Sequence, residues 1–284
     1  MSAKKWGSFK VVYNGMLGKE KICETMLGHT AARVGVSRWL GALGKRFGSI
    51  YVTLFGYPPA TASRILARKV LRVLSKDGKG QLLDVGCSHG AFSFELARRG
   101  YTVVGIDVNR ESVEVAQKIQ GYLGLKNMVF HHMDILSSHF AEKQFDVIMM
   151  FETLEHIKED SKVVCEFGRI LKDDGILIVS VPYAESVEEY NEPVGACKAK
   201  SGEYVCIGEG GSHYRNGYNL RRMKSVLEAN GFLITDWEYL CLPRFLLSSV
   251  LAFPLKYPLS LIFAHVSRNR IKLKVIARKA LHRF

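Results

Sequence analysis

Residues 80–100 read GQLLDVGCSHGAFSFELARRG, and this stretch decides the fold. The apolar run LLDV predicts a short buried strand, and Gly86 and Gly90 bracket a tight turn after it. The spacing of apolar residues beyond the turn predicts an amphipathic helix that ends at Gly100. Because glycines let a backbone approach a ligand closely, this strand, loop and helix predict a ligand-binding loop.

Six further apolar runs follow, and most of them alternate with helical patterns. They are YTVVGID (101–107), NMVFHHMDI (127–135), FDVIMMF (145–151), GILIVSVPY (175–183), FLITDWEYL (232–240) and IKLKVIARKA (271–280). Such alternation predicts a doubly wound α/β fold with a seven-stranded, mostly parallel sheet, and ligands bind such sheets at the carboxyl ends of the strands. In the last run, apolar residues alternate with Lys272 and Lys274, which is typical of a strand with one buried face.

Two acids on the first two strands indicate the kind of nucleotide. Asp107 ends the second strand, where a carboxylate can accept hydrogen bonds from ribose hydroxyls. A dinucleotide fingerprint would read G-x-G-x-x-G, but here the loop reads G-x-S-x-G and Asp84 lies inside the first strand. That acid is unfavourable beside a pyrophosphate. It suits a ligand that carries a cationic amino group and a sulfonium.

Five motifs in order carry a clear resemblance to a known family. They are LLDVGCSHGAF, VVGIDVN, MDI, FDVIMMFETLEHI and GRILKDDGILIVSVPY, within residues 80–240. The chain thereby resembles the class I S-adenosylmethionine-dependent methyltransferases, which have a Rossmann-like fold. It departs from the family pattern at Ser88, where the family usually has glycine, and because serine is small we expect binding to survive.

The resemblance implies S-adenosylmethionine as the cofactor and assigns ten residues to its binding. They are Asp84, Gly86, Cys87, Ser88, Gly90, Asp107, Val108, Asp134, Ile135 and Phe151. By this resemblance Asp84 and the glycine loop lie against the methionine part. Asp107 would hold the ribose, Asp134 the adenine amino group, and Phe151 would lie near the sulfonium.

The sequence FETLEHIKE (151–159) follows the fourth strand and contains Glu152, Glu155 and His156. We expect these residues to begin the next helix, where a spacing of three or four places side chains on one face. The pattern E-x-x-E-H resembles that of ubiquinone-pathway O-methyltransferases and of small-RNA 3′-terminal 2′-O-methyltransferases. In those families the acids and the histidine bind a divalent metal that grips the acceptor hydroxyls, and His213 would complete such a site here.

Three roles remain open for Glu152, Glu155, His156 and His213. A metal ion would lower the pKa of an acceptor hydroxyl, and two carboxylates with two imidazoles suit Zn²⁺ or Mn²⁺ better than Mg²⁺. Without a metal, His156 or His213 would act as the general base, with Glu152 beside them. In the third case Glu155 only forms a salt bridge and His156 only packs.

The net charge of +13 is distributed unevenly. Residues 1–80 hold 15 lysines and arginines against three acids, and residues 241–284 hold nine against none. We divide the chain into a basic helical extension or lid (1–78), a core (79–240) with an acceptor loop at 184–212, an apolar insert (241–270), and a last strand with a basic tail (271–284). Prolines and a lysine interrupt the insert, so neither half reaches the ~20 residues of a spanning helix.

Basic and apolar ends together favour an anionic membrane surface, where each basic residue contributes about 1 kcal/mol. A nucleic acid would reward the charge but gains little from segments rich in leucine and phenylalanine. A solvated basic face without a partner is the remaining interpretation. The six cysteines form no CxxC pair and no secretory signal is evident, so we expect a cytoplasmic protein, peripheral on the membrane.

These features predict an enzyme that transfers a methyl group from S-adenosylmethionine to oxygen on a small hydrophobic acceptor. A lipid, a quinone or an isoprenoid-like molecule fits this description. RNA 2′-O-methylation is the first alternative, because it uses the same E-x-x-E-H chemistry. The second alternative is a partner protein that binds S-adenosylmethionine without catalysis.

Overall fold

The computed structural model describes residues 79–194, 213–241 and 270–280, together with residues 70 and 72–74. All of these residues belong to one compact unit. Most residues of the predicted basic extension, of the apolar insert and of the predicted acceptor loop lie outside the described residues. Among the described residues, no helix is long and apolar enough to span a bilayer.

The described residues form nine strands and four α-helices. The strands are β1 (Gln81–Val85), β2 (Thr102–Asp107), β3 (Met128–His132), β4 (Phe145–Phe151), β5 (Leu171–Pro182), β6 (Glu189–Val194), β7 (His213–Arg215), β8 (Phe232–Cys241) and β9 (Arg270–Lys279). The helices are α1 (Ala91–Arg98), α2 (Arg110–Leu123), α3 (Asp160–Ile170) and α4 (Leu220–Glu228). Two short 3-10 helices cover Ile135–Ser137 and Leu154–His156.

Seven strands form one sheet in the order β3-β2-β1-β4-β5-β9-β8. The pairs from β3 to β5 are parallel, whereas β9 runs antiparallel to both β5 and β8. Strands β6 and β7 pair separately as a small antiparallel sheet. The predicted seven-stranded, mostly parallel sheet is confirmed, and all seven predicted runs form its strands.

Local sequence explains where the elements begin and end. Strand β4 is buried along almost its whole apolar length, as a central strand covered on both faces must be. Helix α2 begins after Asn109, whose side chain accepts a hydrogen bond from the Ser112 amide at 2.9 Å, and it ends at Gly124 in the left-handed conformation. Helix α4 begins in the same way at Asn219.

Helices α3 and α4 cover one face of the sheet. Val163 and Phe167 of α3 and Leu227 of α4 pack into the same buried cluster as Leu83 and Val85 of β1. Helix α1 lies against the other face, where its Ser93 contacts Asp84. This two-sided covering leaves the carboxyl edge of the central strands as the place where loops and polar side chains meet.

The predicted helix that would carry Glu152, Glu155 and His156 does not form. Glu152 has a φ of +51°, only Leu154–His156 make a 3-10 turn, and α3 starts at Asp160. The amide of Glu152 donates to the Ser180 carbonyl at 2.8 Å, so sheet pairing continues one residue beyond β4. The spacing of these residues in the sequence therefore predicts a helix that the structure does not contain.

Strand β9 also departs from its prediction, because its lysines do not lie on an open face. Lys274 is buried and its ammonium contacts Glu238 at 2.6 Å, while the Lys272 side chain is only 13% exposed. Acids on neighbouring elements make this burial possible. In the predicted acceptor loop, Glu189–Val194 forms strand β6.

Candidate active site

Asp84 is a buried acid at the carboxyl edge of β1. The hydroxyl of Ser93 donates a hydrogen bond to its Oδ2 at 2.5 Å. Burial raises the pKa of Asp84 to about 7, and the negative charge of Asp107 adds to the rise while the Ser93 hydrogen bond opposes it. A bound cationic group would favour the ionised carboxylate, so the site is prepared for a positively charged ligand.

The loop after β1 lies directly against the segment after β4. Gly86 has a φ of +73°, and a Cβ at this position would stand 2.1 Å from Thr153 Oγ1. No other residue fits here without displacing Thr153. Phe92 and Phe151 add a second contact between the two segments, an edge-to-face pair with ring centroids 4.9 Å apart. The glycine loop and the FETLEH segment are therefore one continuous site.

Asp107 ties the glycine loop to the end of β2. Its Oδ2 accepts a hydrogen bond from the Ser88 amide and its Oδ1 one from the Asn109 amide, both at 2.8 Å. A carboxylate oxygen has two lone pairs, so each oxygen can accept one more hydrogen bond, as two ribose hydroxyls require. The predicted role of Asp107 is compatible with this geometry.

Ser88 takes the backbone conformation that explains the usual glycine at its position. Its φ is +46°, in the left-handed region that costs a side-chain-bearing residue roughly 1–2 kcal/mol.

We expect Ser88→Gly to raise the free energy of unfolding by about 0.5–1 kcal/mol, after the larger chain entropy of glycine is subtracted. Denaturant unfolding measures this change. Ser88→Ala keeps the strain and is the control without a gain. A Ser88→Gly variant less stable than wild type would contradict the claim that the left-handed conformation of Ser88 costs stability.

The remaining predicted cofactor residues lie along the same edge. Asp134 caps the first 3-10 helix, accepting the Leu136 amide at 2.9 Å, and Ile135 is buried behind it. Val108 is 67% exposed, next to Asp107. Cys87 is buried, and burial together with Asp84 and Asp107 raises the pKa of its thiol, which stays uncharged. Cys87 therefore adds no charge to this edge of the sheet.

His156 and His213 meet in the second half of the site. Their ring centroids are 4.2 Å apart at an interplanar angle of 72°. His213 comes from β7, so a separate small strand supplies the second imidazole. Partial burial lowers the pKa of His213 and the neighbouring His156 lowers it further, so His213 is neutral at pH 7 and can accept a proton.

The two glutamates have different surroundings. Glu155 is buried, its Oε2 has no hydrogen-bond partner among the described residues, and its Oε1 lies 3.8 Å from His156 Nε2. Burial, reinforced by Glu152, raises the pKa of Glu155 well above its usual range. Glu152 instead accepts the Ser180 hydroxyl at 3.1 Å and pairs with Lys272 Nζ at 2.7 Å.

The four predicted metal ligands come together, but their arrangement does not fit a shared ion. Within the described part of the chain, no three histidine, cysteine, aspartate or glutamate side chains are placed to hold one cation. Both oxygens of Glu152 already have partners, and one of these is an ammonium group. The Oε2 atom of Glu155 has no hydrogen-bond partner among the described residues and could bind a cation, but one such ligand does not make a metal site.

Arg215 fastens the strand of His213 to the segment of His156. It is buried and donates to the carbonyls of Ile157 and Lys158 at 2.6 and 2.7 Å. It also pairs with Glu189 at 3.0 Å and lies 3.6 Å from Asp160. Sequence reasoning missed Arg215, and it missed Ser93, Thr153, Ser180 and Lys272 as well, because no local motif marks these positions.

The chain is similar in sequence to a family of known proteins. Residues 76–231, just over half of the chain, match a family described as a methyltransferase domain. A ubiquinone biosynthesis O-methyltransferase from Actinobacillus pleuropneumoniae is 37% identical over 105 residues, which cover 35% of this chain and 44% of that protein. The chain therefore matches less than half the length of this relative.

Solved structures share the fold at low sequence identity. The geranyl diphosphate C-methyltransferase from Streptomyces coelicolor has a TM-score of 0.56 at 15% identity, over 76% of this chain and 80% of that one. The cyclase SpnF has a TM-score of 0.52 at 24% identity, over the same shares of the two chains. Because the second is named a cyclase, this fold is compatible with more than one named activity.

Proposed function

The chain belongs to the methyltransferase-domain family, and on this basis we propose that it transfers a methyl group from S-adenosylmethionine to an oxygen atom of a hydrophobic acceptor at a membrane surface. One observation carries the proposal. The glycine loop follows Asp84 and is hydrogen-bonded to Asp107, and it is in contact through Gly86 and Thr153 with the segment that carries His156. Donor and acceptor chemistry thus share one edge of the sheet.

The residues of the site have complementary tasks. S-adenosylmethionine, when bound, supplies an activated methyl group on a sulfonium. Asp84 and Asp107 bind and orient its charged and hydroxyl groups. His213, held against His156, accepts the proton of the acceptor hydroxyl, which is a poor nucleophile while it keeps that proton. At the acceptor oxygen the O–H bond would break and an O–CH₃ bond would form. The bond between the methyl group and the sulfonium would break in the same transfer and leave a neutral thioether.

Two observations support an oxygen atom on a hydrophobic acceptor. The curated relative is named a ubiquinone biosynthesis O-methyltransferase, and it is 37% identical to this chain over 105 residues. The basic, apolar ends of the sequence favour a membrane surface. The proposal includes no divalent metal at Glu152, Glu155, His156 and His213, and chelator sensitivity of the reaction would contradict it.

Methyl-labelled S-adenosylmethionine and a total extract of the host cell test the acceptor class. After incubation with the full chain, the extract is partitioned between organic solvent and water. We expect the label in the organic phase, with transfer that depends on detergent or vesicles. Label in RNA, with strong salt dependence and no detergent dependence, would replace the proposal by 2′-O-methylation. No label in any fraction would favour a partner protein without catalysis.

His213→Gln tests the general base. The amide cannot accept the proton as an imidazole does, so we expect kcat to fall about 100-fold or more while the Kd for S-adenosylmethionine stays unchanged. His139→Gln is the matched control, because His139 is exposed on a loop. Equal kcat values for the two variants would remove His213 from the mechanism.

A further inference from the structure

Lys272 pairs with Glu152 in the acceptor half of the site, and its place in the sheet is unusual. It lies inside β9, with Pro182 of β5 and Leu240 of β8 as its register neighbours. Its side chain is only 13% exposed. Burying a lysine among apolar strands is unfavourable unless an acid pairs with it. Glu152 is that acid, at 2.7 Å.

The backbone and the side chain of Glu152 are held in the position that pairs with Lys272. Its backbone takes a φ of +51°, an unfavourable conformation for a residue with a side chain, which persists where surrounding contacts hold it. The Ser180 hydroxyl and the Ser180 carbonyl fix its side chain and its amide, at 3.1 and 2.8 Å. The strained residue therefore directs one carboxylate oxygen at Lys272 and the other at Ser180.

Glu155 lies within the field of the same pair. Glu152 and Lys272 act on it electrostatically in opposite directions. A divalent ion shared by Glu152 and Glu155 would have to come close to the Lys272 ammonium, and like charges in a partly buried site repel strongly. The cluster therefore already contains one positive charge, the Lys272 ammonium group paired with Glu152.

We propose that Lys272 is the resident cation of this site, replacing a divalent metal beside Glu152 and Glu155. As a positioning residue it holds the Glu152 carboxylate at the edge where the acceptor binds. The inference rests on the proposed function in one respect, namely that the acceptor binds at this edge of the sheet. It implies that Lys272 excludes divalent cations and that methyl transfer is independent of them.

A titration of Mn²⁺ into the full-length protein tests the inference without any acceptor. The concentration of free Mn²⁺ is measured by its EPR signal. We expect no saturable binding by wild type within the titrated range and saturable binding by Lys272→Met at least about tenfold tighter than the upper end of that range, because two carboxylates then lose their cation. Lys279→Met is the matched control, since Lys279 also lies in β9 but pairs with Asp173. Lys272→Met combined with Glu152→Gln should lose the gained binding.

Several results would overturn the inference. They are saturable Mn²⁺ binding by wild type, no gain in Lys272→Met, or a similar gain in Lys279→Met. If Lys272→Met does not fold, Lys272→Arg keeps the charge and should still exclude Mn²⁺. The wild-type titration is then still a test, because saturable Mn²⁺ binding by wild type overturns the inference by itself. Activity adds a second readout, in which excess chelator changes the rate of methyl transfer less than twofold. Because the Mn²⁺ titrations need no turnover, they separate failure of this inference from failure of the proposed function.

Discussion

Replacing Asp84 by asparagine is expected to stabilise the protein and to weaken its binding of S-adenosylmethionine. Burial raises the pKa of Asp84 from 3.8 to about 7. Between these values the folded state keeps a proton that the unfolded state has released, so stability falls as pH rises through this window. The loss is about 1.4 kcal/mol per pH unit and reaches about 4 kcal/mol above pH 7.

Asparagine cannot ionise and keeps the shape and the Ser93 contact, so Asp84→Asn avoids this loss. Its advantage in the free energy of unfolding should be near zero at pH 3–4 and about 4 kcal/mol at pH 8. Denaturant unfolding at several pH values measures the difference. Asp146→Asn is the matched control on β4, because Asp146 pairs with Lys172 at 2.7 Å and its replacement should not stabilise the protein.

Binding should respond to Asp84→Asn in the opposite direction. Above pH 7 we expect roughly 10–100-fold weaker binding of S-adenosylmethionine, the value of a hydrogen bond to a charged group. Below pH 7 the wild-type affinity should fall by up to about tenfold per pH unit as Asp84 takes up its proton, whereas the variant should show no such dependence. Equal affinities of the two proteins at pH 8 would contradict the assignment of Asp84 to the donor site.

Replacing Arg215 by methionine is expected to cost about 3–5 kcal/mol of stability, the usual effect of removing one partner from a buried ion pair. The change leaves the buried Asp160 with weaker compensation and two backbone carbonyls without their donor. Since whole domains are stable by only about 5–15 kcal/mol, this loss is a large share of the total. Denaturant unfolding and kcat should both report it.

Arg222→Met is the matched control for Arg215→Met. Arg222 contacts the same two acids, Asp160 at 3.1 Å and Glu189 at 3.0 Å, but its side chain is 35% exposed. We expect this control to lose about 1 kcal/mol or less. If Arg215→Met does not fold, Arg215→Lys keeps the charge without the planar fork and should show an intermediate loss. Losses of equal size for Arg215→Met and Arg222→Met would exclude a special role of the buried arginine.

The position of Asp84 and Asp107 at one edge of the sheet could be predicted because the signals for it are local. A strand that contains an acid, followed by a glycine loop and a helix, is visible within about 30 residues of sequence. Asp84 and Asp107 lie at the sheet edge where the periodicity places them. Ser88 marks the one departure, and its φ of +46° shows why glycine is favoured there.

The acceptor half could be predicted only in part, because its contacts join distant segments. The pairing of Lys272 with Glu152 depends on the register of β9 against β5, which no local pattern reveals. The helical spacing of E-x-x-E-H was misleading, since sheet pairing to Ser180 and the contact of Thr153 with Gly86 hold this segment out of a helix. Alternation in β9 was misleading as well, because acids outside the strand allow its lysines to be buried.

Calorimetric titration of the full-length protein with S-adenosylmethionine at pH 8 tests the central claim most directly. NAD⁺ serves as the comparison ligand, because its pyrophosphate should be repelled by Asp84, and Asp107→Ala serves as the control protein. The account predicts one-to-one binding of S-adenosylmethionine by wild type, strong weakening in Asp107→Ala, and no binding of NAD⁺. Absence of S-adenosylmethionine binding, or binding of NAD⁺ with equal affinity, would contradict it.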